Sequence, residues 1–101
     1  MPGEPKQAFR MRVAYWAGRL DVGFHTVTLR AMRNKWASCS TAGRLTFNSE
    51  LLALDAELWD YVIVHELLHF FVANHGKLWK SLMTAYLGNY QELEARLKRV
   101  A

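Results

Sequence analysis

The sequence lacks several features that would assign it to an extracellular or membrane class. Cys39 is the only cysteine in 101 residues, which excludes a framework of internal disulfides. No apolar run is long enough to span a bilayer, and the start of the chain has no apolar segment of the signal-peptide kind. Linkers, internal repeats and low-complexity segments are also missing. We therefore expect a cytoplasmic protein without membrane contact, folded as one domain over residues 1–101.

The composition is that of a globular chain with an uneven charge. Hydrophobic residues make up 51% and aromatic residues 13%, enough for a real core and against disorder. Residues 1–50 hold eight basic and three acidic groups, whereas residues 51–101 hold five and six. A basic first half can contact nucleic acid weakly or an acidic protein. The chain has no dense Lys/Arg run and no known DNA-reading motif, so a solvated surface is the simpler interpretation.

The centre of the chain carries a motif with the spacing of a metal site. Almost every residue from Tyr61 to Ala73 is apolar, which predicts a buried helix, and the exceptions are His65, Glu66 and His69. Imidazoles four residues apart lie on one helix face and can bind one ion. Glu66 points about 100° away from His65, so it is poorly placed as a ligand, but it can reach a water on the open side of the ion. This is the His-Glu-x-x-His pattern of zinc hydrolases, in which the glutamate is the general base.

A catalytic zinc needs a third protein ligand, and we predict His75. Because His75 lies beyond the helix, the chain must bend back, and we interpret residues 74–76 as the helix stop, with Asn74 in the left-handed conformation. Two alternatives are a core helix with incidental histidines and a structural zinc. A structural zinc usually has four Cys or His ligands, for which the chain offers only Cys39 and His25 in addition. The third histidine, the apolar helix and the turn residues together favour one catalytic Zn²⁺.

Before the motif, we predict one helix and three strands. Apolar residues at helical spacing predict a helix over residues 6–20, namely Phe9, Val13, Trp16 and Leu20. Residues 24–32 alternate as a strand with Val27, Leu29 and Ala31 on one face. Strands at 36–40 and 45–47 form a hairpin whose turn ends at Gly43, a residue able to take a positive φ. The side chains of the first hairpin strand either serve only packing and the surface, or the strand is an exposed edge that binds an extended peptide through Trp36, Ala37 and Ser38.

After the hairpin, capping residues predict where the helices begin. Asn48 caps a short helix over residues 49–54, and Asp55 caps the metal helix, with Glu57 in its first turn. Apolar residues at helical spacing mark the next helix, which ends at Gly88. Residues 89–92 form a capping box for the last helix.

These residues resemble the YgjP-like zinc metallopeptidases, relatives of the SprT and WLM proteases and of other small zincins. Four blocks within residues 27–80 carry the resemblance, namely Leu29–Ser40, Leu45–Asn48, Asp60–His69 and Asn74–Trp79. The resemblance implies an α+β, zincin-like fold in which a small antiparallel three-stranded sheet packs on the active-site helix, with helices flanking at both ends. It also implies zinc on His65, His69 and His75, Glu66 as general base, and a peptide or protein substrate.

The resemblance also leaves alternatives open. Ala37 stands where the family usually has glycine, which alters how closely a substrate backbone approaches that strand. Some small zincins take a downstream glutamate as third ligand, for which Glu92 and Glu94 are the candidates, although Glu92 already fits the capping box. A different class of function is a metal-stabilised module that binds nucleic acid or protein with weak or latent catalysis.

Overall fold

The computed structural model describes residues 5–72 and 74–100, which form four α-helices and a three-stranded sheet. The elements are α1 (Pro5–Leu20), β1 (Thr26–Arg30), β2 (Ala37–Cys39), β3 (Arg44–Asn48), a 3₁₀ helix (Ser49–Ala53), α2 (Ala56–Leu68), α3 (Lys77–Leu87) and α4 (Tyr90–Val100). The predicted α+β class is confirmed. As predicted, one helix precedes the sheet along the chain, and further helices follow the metal helix α2. None of the helices in the described ranges is long and apolar enough to cross a membrane.

The first helix forms along the predicted apolar stripe and buries it. Phe9, Val13, Trp16 and Leu20 are all buried. Phe9 is fully buried and its ring packs against Phe47 of β3 at 4.9 Å between centroids and against Trp59 of α2 at 5.3 Å. One side chain of α1 therefore contacts both the sheet and the central helix, so the predicted helical spacing is a core stripe.

The sheet is mixed, which corrects the expectation of an antiparallel one. The strand order is β1-β3-β2, with β1 parallel to β3 and β2 antiparallel to it. The chain reverses between β1 and β2 and again between β2 and β3, so β1 and β3 run in the same direction. Because β3 inserts between the other two, β2 becomes an edge strand. Alternation in the sequence predicts which face of a strand is buried, but it carries no information about the partner strand.

The faces of the strands follow the predicted alternation. Val27 and Leu29 are half-buried, while Thr26, Thr28 and Arg30 are exposed. Ala31, expected on the same face as Val27 and Leu29, is exposed beyond the end of β1. The hairpin turn ends at Gly43 with φ of 80°, as predicted. A side chain there would place its Cβ 3.2 Å from the backbone nitrogen of His25, so the close approach of the two segments also requires glycine.

The central helix α2 is buried on nearly every side and packs against α1, α3, α4 and β2. Asp55 occupies its N-cap position but makes no capping hydrogen bond, which corrects the prediction. Its carboxylate instead accepts a hydrogen bond from Arg96 of α4 at 2.7 Å, and Glu57 accepts one from the same guanidinium at 2.7 Å. Asn48, by contrast, caps the 3₁₀ helix as predicted, accepting from the backbone N–H of Glu50 at 3.0 Å.

The metal helix ends earlier than the apolar pattern predicts. It stops at Leu68, and His69 is its C-cap. The backbone N–H groups of Phe70 and Phe71 donate to carbonyls three residues back, the tighter pattern common at helix ends. Asn74 therefore does not terminate this helix, and the predicted stop at residues 74–76 is wrong. The apolar run continues past the helix into a turn in which Val72 is buried and Phe71 is 56% exposed.

A carboxylate ties α1 to α2 one turn before the metal motif. Asp60 accepts two hydrogen bonds from the Arg12 guanidinium, at 2.6 and 3.0 Å, and a third from the indole N–H of Trp16 at 2.8 Å. The Asp60 side chain is only 15% exposed. This network raises the pKa of Arg12, chiefly through its hydrogen bond to Asp60. These hydrogen bonds from α1 to Asp60 thus fix the orientation of α2 relative to α1.

Candidate metal centre

Three imidazoles converge where α2 ends and the following loop turns back. His65 lies in the last turn of α2 and His69 at its C-cap, both half-buried, whereas His75 is exposed just before α3. The Nε2 atom of His75 lies 3.0 Å from Nε2 of His65 and 3.2 Å from Nε2 of His69. The potential ligand atoms of the three residues all lie within 4.8 Å of one another. The structure therefore brings together all three predicted metal ligands.

The ring of His69 is oriented by a backbone carbonyl. Its Nδ1 lies 3.3 Å from the carbonyl oxygen of Val72. A carbonyl only accepts, so Nδ1 carries the proton and Nε2 presents a lone pair to the other two rings. Metal-ligating histidines usually donate their second ring N–H in this way.

His75 is held by the start of α3. The Asn74 side chain accepts a hydrogen bond from the backbone N–H of Gly76 at 2.9 Å, which shapes the entry to that helix. One turn later, the buried ring of Trp79 packs on His75 at 4.5 Å between centroids and meets His65 edge-on at 5.3 Å. The buried Nε1 of Trp79 has no hydrogen-bond partner within residues 5–72 and 74–100. Trp79 thus supports two of the three imidazoles.

The other side of His65 faces Tyr61 and Glu94. Tyr61 stacks on His65 with rings 5.9 Å apart and nearly parallel, at 14°. Its hydroxyl donates to the Glu94 carboxylate at 2.9 Å, and burial, followed by this hydrogen bond, raises the pKa of Tyr61. Among the described residues, the group of converging ligand atoms contains neither Glu92 nor Glu94. The geometry therefore favours His75 over the two glutamates as third ligand.

Glu66 lies beside the imidazoles rather than among them. It is 8% exposed, and its carboxylate oxygen lies 3.4 Å from Nδ1 of His65. Burial raises the pKa of Glu66, although charges on His69 and Lys35 oppose the shift. Burial, followed by charges on His69 and His75, lowers the pKa of His65 to about 4. His65 is therefore neutral at pH 7, and its contact with Glu66 is not an ion pair.

Two cavities meet at Glu66, beneath the edge strand β2. The first, which we call the β2–α4 cavity, has a volume of about 290 Å³ and is lined by Trp36 and Ala37 together with His65 and Glu66. The second has about 160 Å³ and is lined by Cys39 and Ser40 with Glu66 and His69. Of the three residues predicted to bind substrate, Trp36 and Ala37 line these cavities, and Ser38 does not.

The sequence interpretation missed some residues around Glu66. Cys39 lines the second cavity, where burial and the Glu66 charge raise the pKa of its thiol. Tyr61 and Leu97 line the β2–α4 cavity, but in the sequence they resemble any other core residues. Only their position relative to His65, which depends on how α4 packs, distinguishes them.

The donor set fits a zinc ion. In a tetrahedral site with bonds of about 2.0–2.1 Å to imidazole nitrogen, neighbouring nitrogens lie about 3.3 Å apart. The separations of 3.0 and 3.2 Å are close to that value. A neutral His65 and the lone pair of His69 would supply suitable donors, and three protein ligands would leave one position open, as in catalytic sites.

An α+β fold with three histidines converging at the end of a central helix, and a glutamate beside them under an edge strand, defines a metallopeptidase of the zincin kind. Comparison with known proteins identifies the family. The sequence matches the family described as YgjP-like, metallopeptidase domain, over residues 3–100, and the chain belongs to that family.

Two solved structures are similar to this chain. The metallopeptidase zymogen jannalysin of Methanocaldococcus jannaschii is 26% identical, with a TM-score of 0.81 over 90% of this chain and 94% of that one. The metallopeptidase zymogen abylysin of Pyrococcus abyssi is 22% identical, with a TM-score of 0.75 over 88% of this chain and 90% of that one, and shares the fold. No curated protein matches the sequence.

Proposed function

We propose that this metallopeptidase binds one zinc ion through His65, His69 and His75 and hydrolyses peptide bonds with Glu66 as general base, as a single domain. The observation that carries the proposal is the convergence of three Nε2 atoms, at 3.0 and 3.2 Å, next to a buried carboxylate. A cluster of three neutral nitrogen donors suits zinc better than magnesium or calcium, which prefer oxygen ligands.

Zinc in such a site acts as a Lewis acid on a carbonyl and makes water more acidic. The role of Glu66 follows from its own environment. A carboxylate whose pKa is raised by burial accepts a proton from water more readily near neutral pH than an exposed glutamate does. The same group then delivers that proton to the leaving amine nitrogen. Because α2 is packed on all sides, Glu66 is held in place for both transfers.

The edge strand β2 supplies a surface for the substrate backbone. Its other side pairs with β3, so the outer side can pair with an extended peptide in the manner of strand addition. Trp36 and Ala37 line the β2–α4 cavity beside Glu66, so a peptide bound on this edge would lie near the proposed base. Binding of substrate by Ser38 stays a prediction. Ser38 lies between the pairs Trp36–Asn48 and Ser40–Arg44, which are joined by backbone hydrogen bonds, so its own N–H and C=O face β3 and the outward backbone groups of β2 are those of Ala37 and Cys39.

Latency is part of the same proposal, since jannalysin and abylysin were both crystallised as metallopeptidase zymogens. Activity is therefore to be measured both before and after limited proteolysis of the full chain.

Contact with nucleic acid stays a prediction. Two basic groups of the first half already have partners within the chain, since Arg12 bonds Asp60 and Arg10 donates to the carbonyl of Val27.

The test compares Glu66→Ala and Glu66→Gln with the unaltered chain, all loaded with zinc, on unfolded protein and on a quenched fluorescent peptide library. General-base catalysis contributes about 10²- to 10⁴-fold. We expect both variants to lose activity on that scale while retaining zinc, measured by metal analysis. The matched control is Glu57→Ala, which removes an exposed glutamate from the same helix and should leave hydrolysis unchanged.

Two results would contradict the proposal. Activity retained in both Glu66 variants would exclude Glu66 as the base. Absence of cleavage in every form, proteolysed or not, combined with salt-dependent binding to DNA, would instead support the binding module.

A further inference from the structure

The β2–α4 cavity is bordered by Glu66 and His65 but by neither of the other two imidazoles. Its other walls are side chains of β2, α2 and α4 and of the residue before β2, namely Trp36, Ala37, Tyr61, Val62 and Leu97. Its volume of about 290 Å³ is far above the ~30 Å³ share of one water in the liquid. Pockets for drug-sized ligands begin near ~300 Å³. The cavity therefore has the scale of one large side chain.

Four charged residues line this cavity, two basic and two acidic. Lys35 and Lys98 are exposed, so their alkyl stems line the cavity while their ammonium groups reach water. Glu94 already accepts a hydrogen bond from Tyr61 at 2.9 Å. Glu66 is the proposed base. A charged group that passes the exposed lysines and reaches the apolar walls formed by Ala37, Val62 and Leu97 would lose its hydration there, which is costly.

We propose that the β2–α4 cavity is the specificity pocket of the enzyme, and that it takes a large uncharged side chain, aliphatic or aromatic, from a residue that flanks the cleaved bond. The proposal rests on the peptidase function proposed above. A peptide paired with the edge of β2 directs alternate side chains toward α2 and α4. The residue nearest Glu66 then places its side chain in this cavity.

The expected selectivity follows from the apolar walls. A single methylene group in an apolar pocket changes specificity by about 10- to 200-fold. Peptides with Leu or Phe at the selected position should therefore bind and react at least about tenfold better than the Ala peptide. Peptides with Asp or Lys there should be weaker still.

The experiment first measures binding without cleavage. Zinc-loaded Glu66→Gln protein is titrated with five peptides that differ only at one position, occupied by Leu, Phe, Ala, Asp or Lys. Binding is followed by NMR through the indole N–H signals. The Trp36 signal should shift, and that of Trp59, which donates to the carbonyl of Leu51 in the core, should not. Cleavage sites produced by the enzyme with Glu66 intact are then mapped on the same peptides.

Two variants shrink the pocket from different sides. Leu97→Phe reduces it from α4, and Ala37→Leu reduces it from β2 in case the first variant fails to fold. Both should shift the preference from Phe toward Ala by at least about tenfold. The matched control is Leu93→Phe, the same substitution one turn earlier on α4, where the side chain lines a different cavity. The control should keep the original preference.

The outcomes separate the two proposals. Cleavage without side-chain preference, or a preference unchanged in both pocket variants, overturns the specificity pocket and leaves the peptidase standing. Binding of none of the five peptides, together with no cleavage by the enzyme, overturns both. Strongest binding of the Asp or Lys peptide overturns the apolar character of the pocket.

Discussion

Asp60 offers the sharpest test of how the fold positions the metal helix. Replacement by alanine removes the acceptor of three hydrogen bonds, two from Arg12 and one from Trp16. The Arg12 side chain is 39% exposed, so the pair of bonds it makes is screened and contributes about 1 kcal/mol. Trp16 is 4% exposed, and an indole N–H left buried without an acceptor costs about 1–3 kcal/mol. We expect Asp60→Ala to lower the free energy of unfolding by about 2–4 kcal/mol.

Asparagine at the same position separates the two contributions. Its amide oxygen still accepts from Trp16, so Asp60→Asn should lose only the charged pair with Arg12, about 1 kcal/mol. Asp55→Ala is the matched control. It removes another carboxylate near the start of α2 that bonds an arginine, but its side chain is 75% exposed, and we expect little change in stability.

The assay is urea unfolding of metal-free protein, followed by circular dichroism. Metal must be removed because an ion that binds only the folded chain adds its own stabilisation. A loss of 2–4 kcal/mol corresponds to a drop of about 10–25 °C in Tm for a domain of this size. The reasoning is wrong if Asp60→Ala is as stable as Asp55→Ala, or if asparagine costs as much as alanine at position 60.

Three further perturbations probe the metal centre and its supports. Free zinc at a hundred times its Kd should raise the free energy of unfolding by about 2.7 kcal/mol, measured by calorimetry with and without chelator. His75→Ala should lose most of that gain, and an equal gain in this variant would exclude His75 as a ligand. Trp79→Leu should weaken zinc affinity by about 10- to 100-fold in competition with a chelating dye, and Trp79→Phe by less; affinity unchanged in both would refute the support role. Asn48→Ala removes a cap and two bonds to loop carbonyls and should cost about 3 kcal/mol in denaturant unfolding; Asn48→Asp keeps the cap but turns a buried carboxylate oxygen toward the same two carbonyls, so it should cost at least as much.

Much of the site was predictable because its signals are local. The spacing of His65 and His69 fixes them on one helix face whatever the rest of the chain does. The stripe on α1 that includes Phe9 identifies its buried face for the same reason. Gly43 marks its turn because few other residues tolerate a positive φ.

The features that sequence reasoning missed depend on contacts between distant segments. The parallel pairing of β1 with β3 follows from where the chain reverses, and the alternation of Val27 and Leu29 is the same in either arrangement. Asp55 is a residue type that often caps helices, yet its carboxylate accepts a hydrogen bond from Arg96, 41 residues away, instead. The end of α2 at Leu68 lies inside an apolar run, because the turn that follows contains the buried Val72 and the exposed Phe71 alike, so composition does not mark the end of the helix.

The three imidazoles differ in how far solvent reaches them. His65 and His69 are half-buried on the central helix, whereas His75 is exposed on a connecting loop. An ion held by all three would be released stepwise from the outer side, with the bond to His75 breaking first. Metal exchange would then be governed by opening of a short loop, so a chelator could strip the enzyme while the helices stay formed and ready to be reloaded.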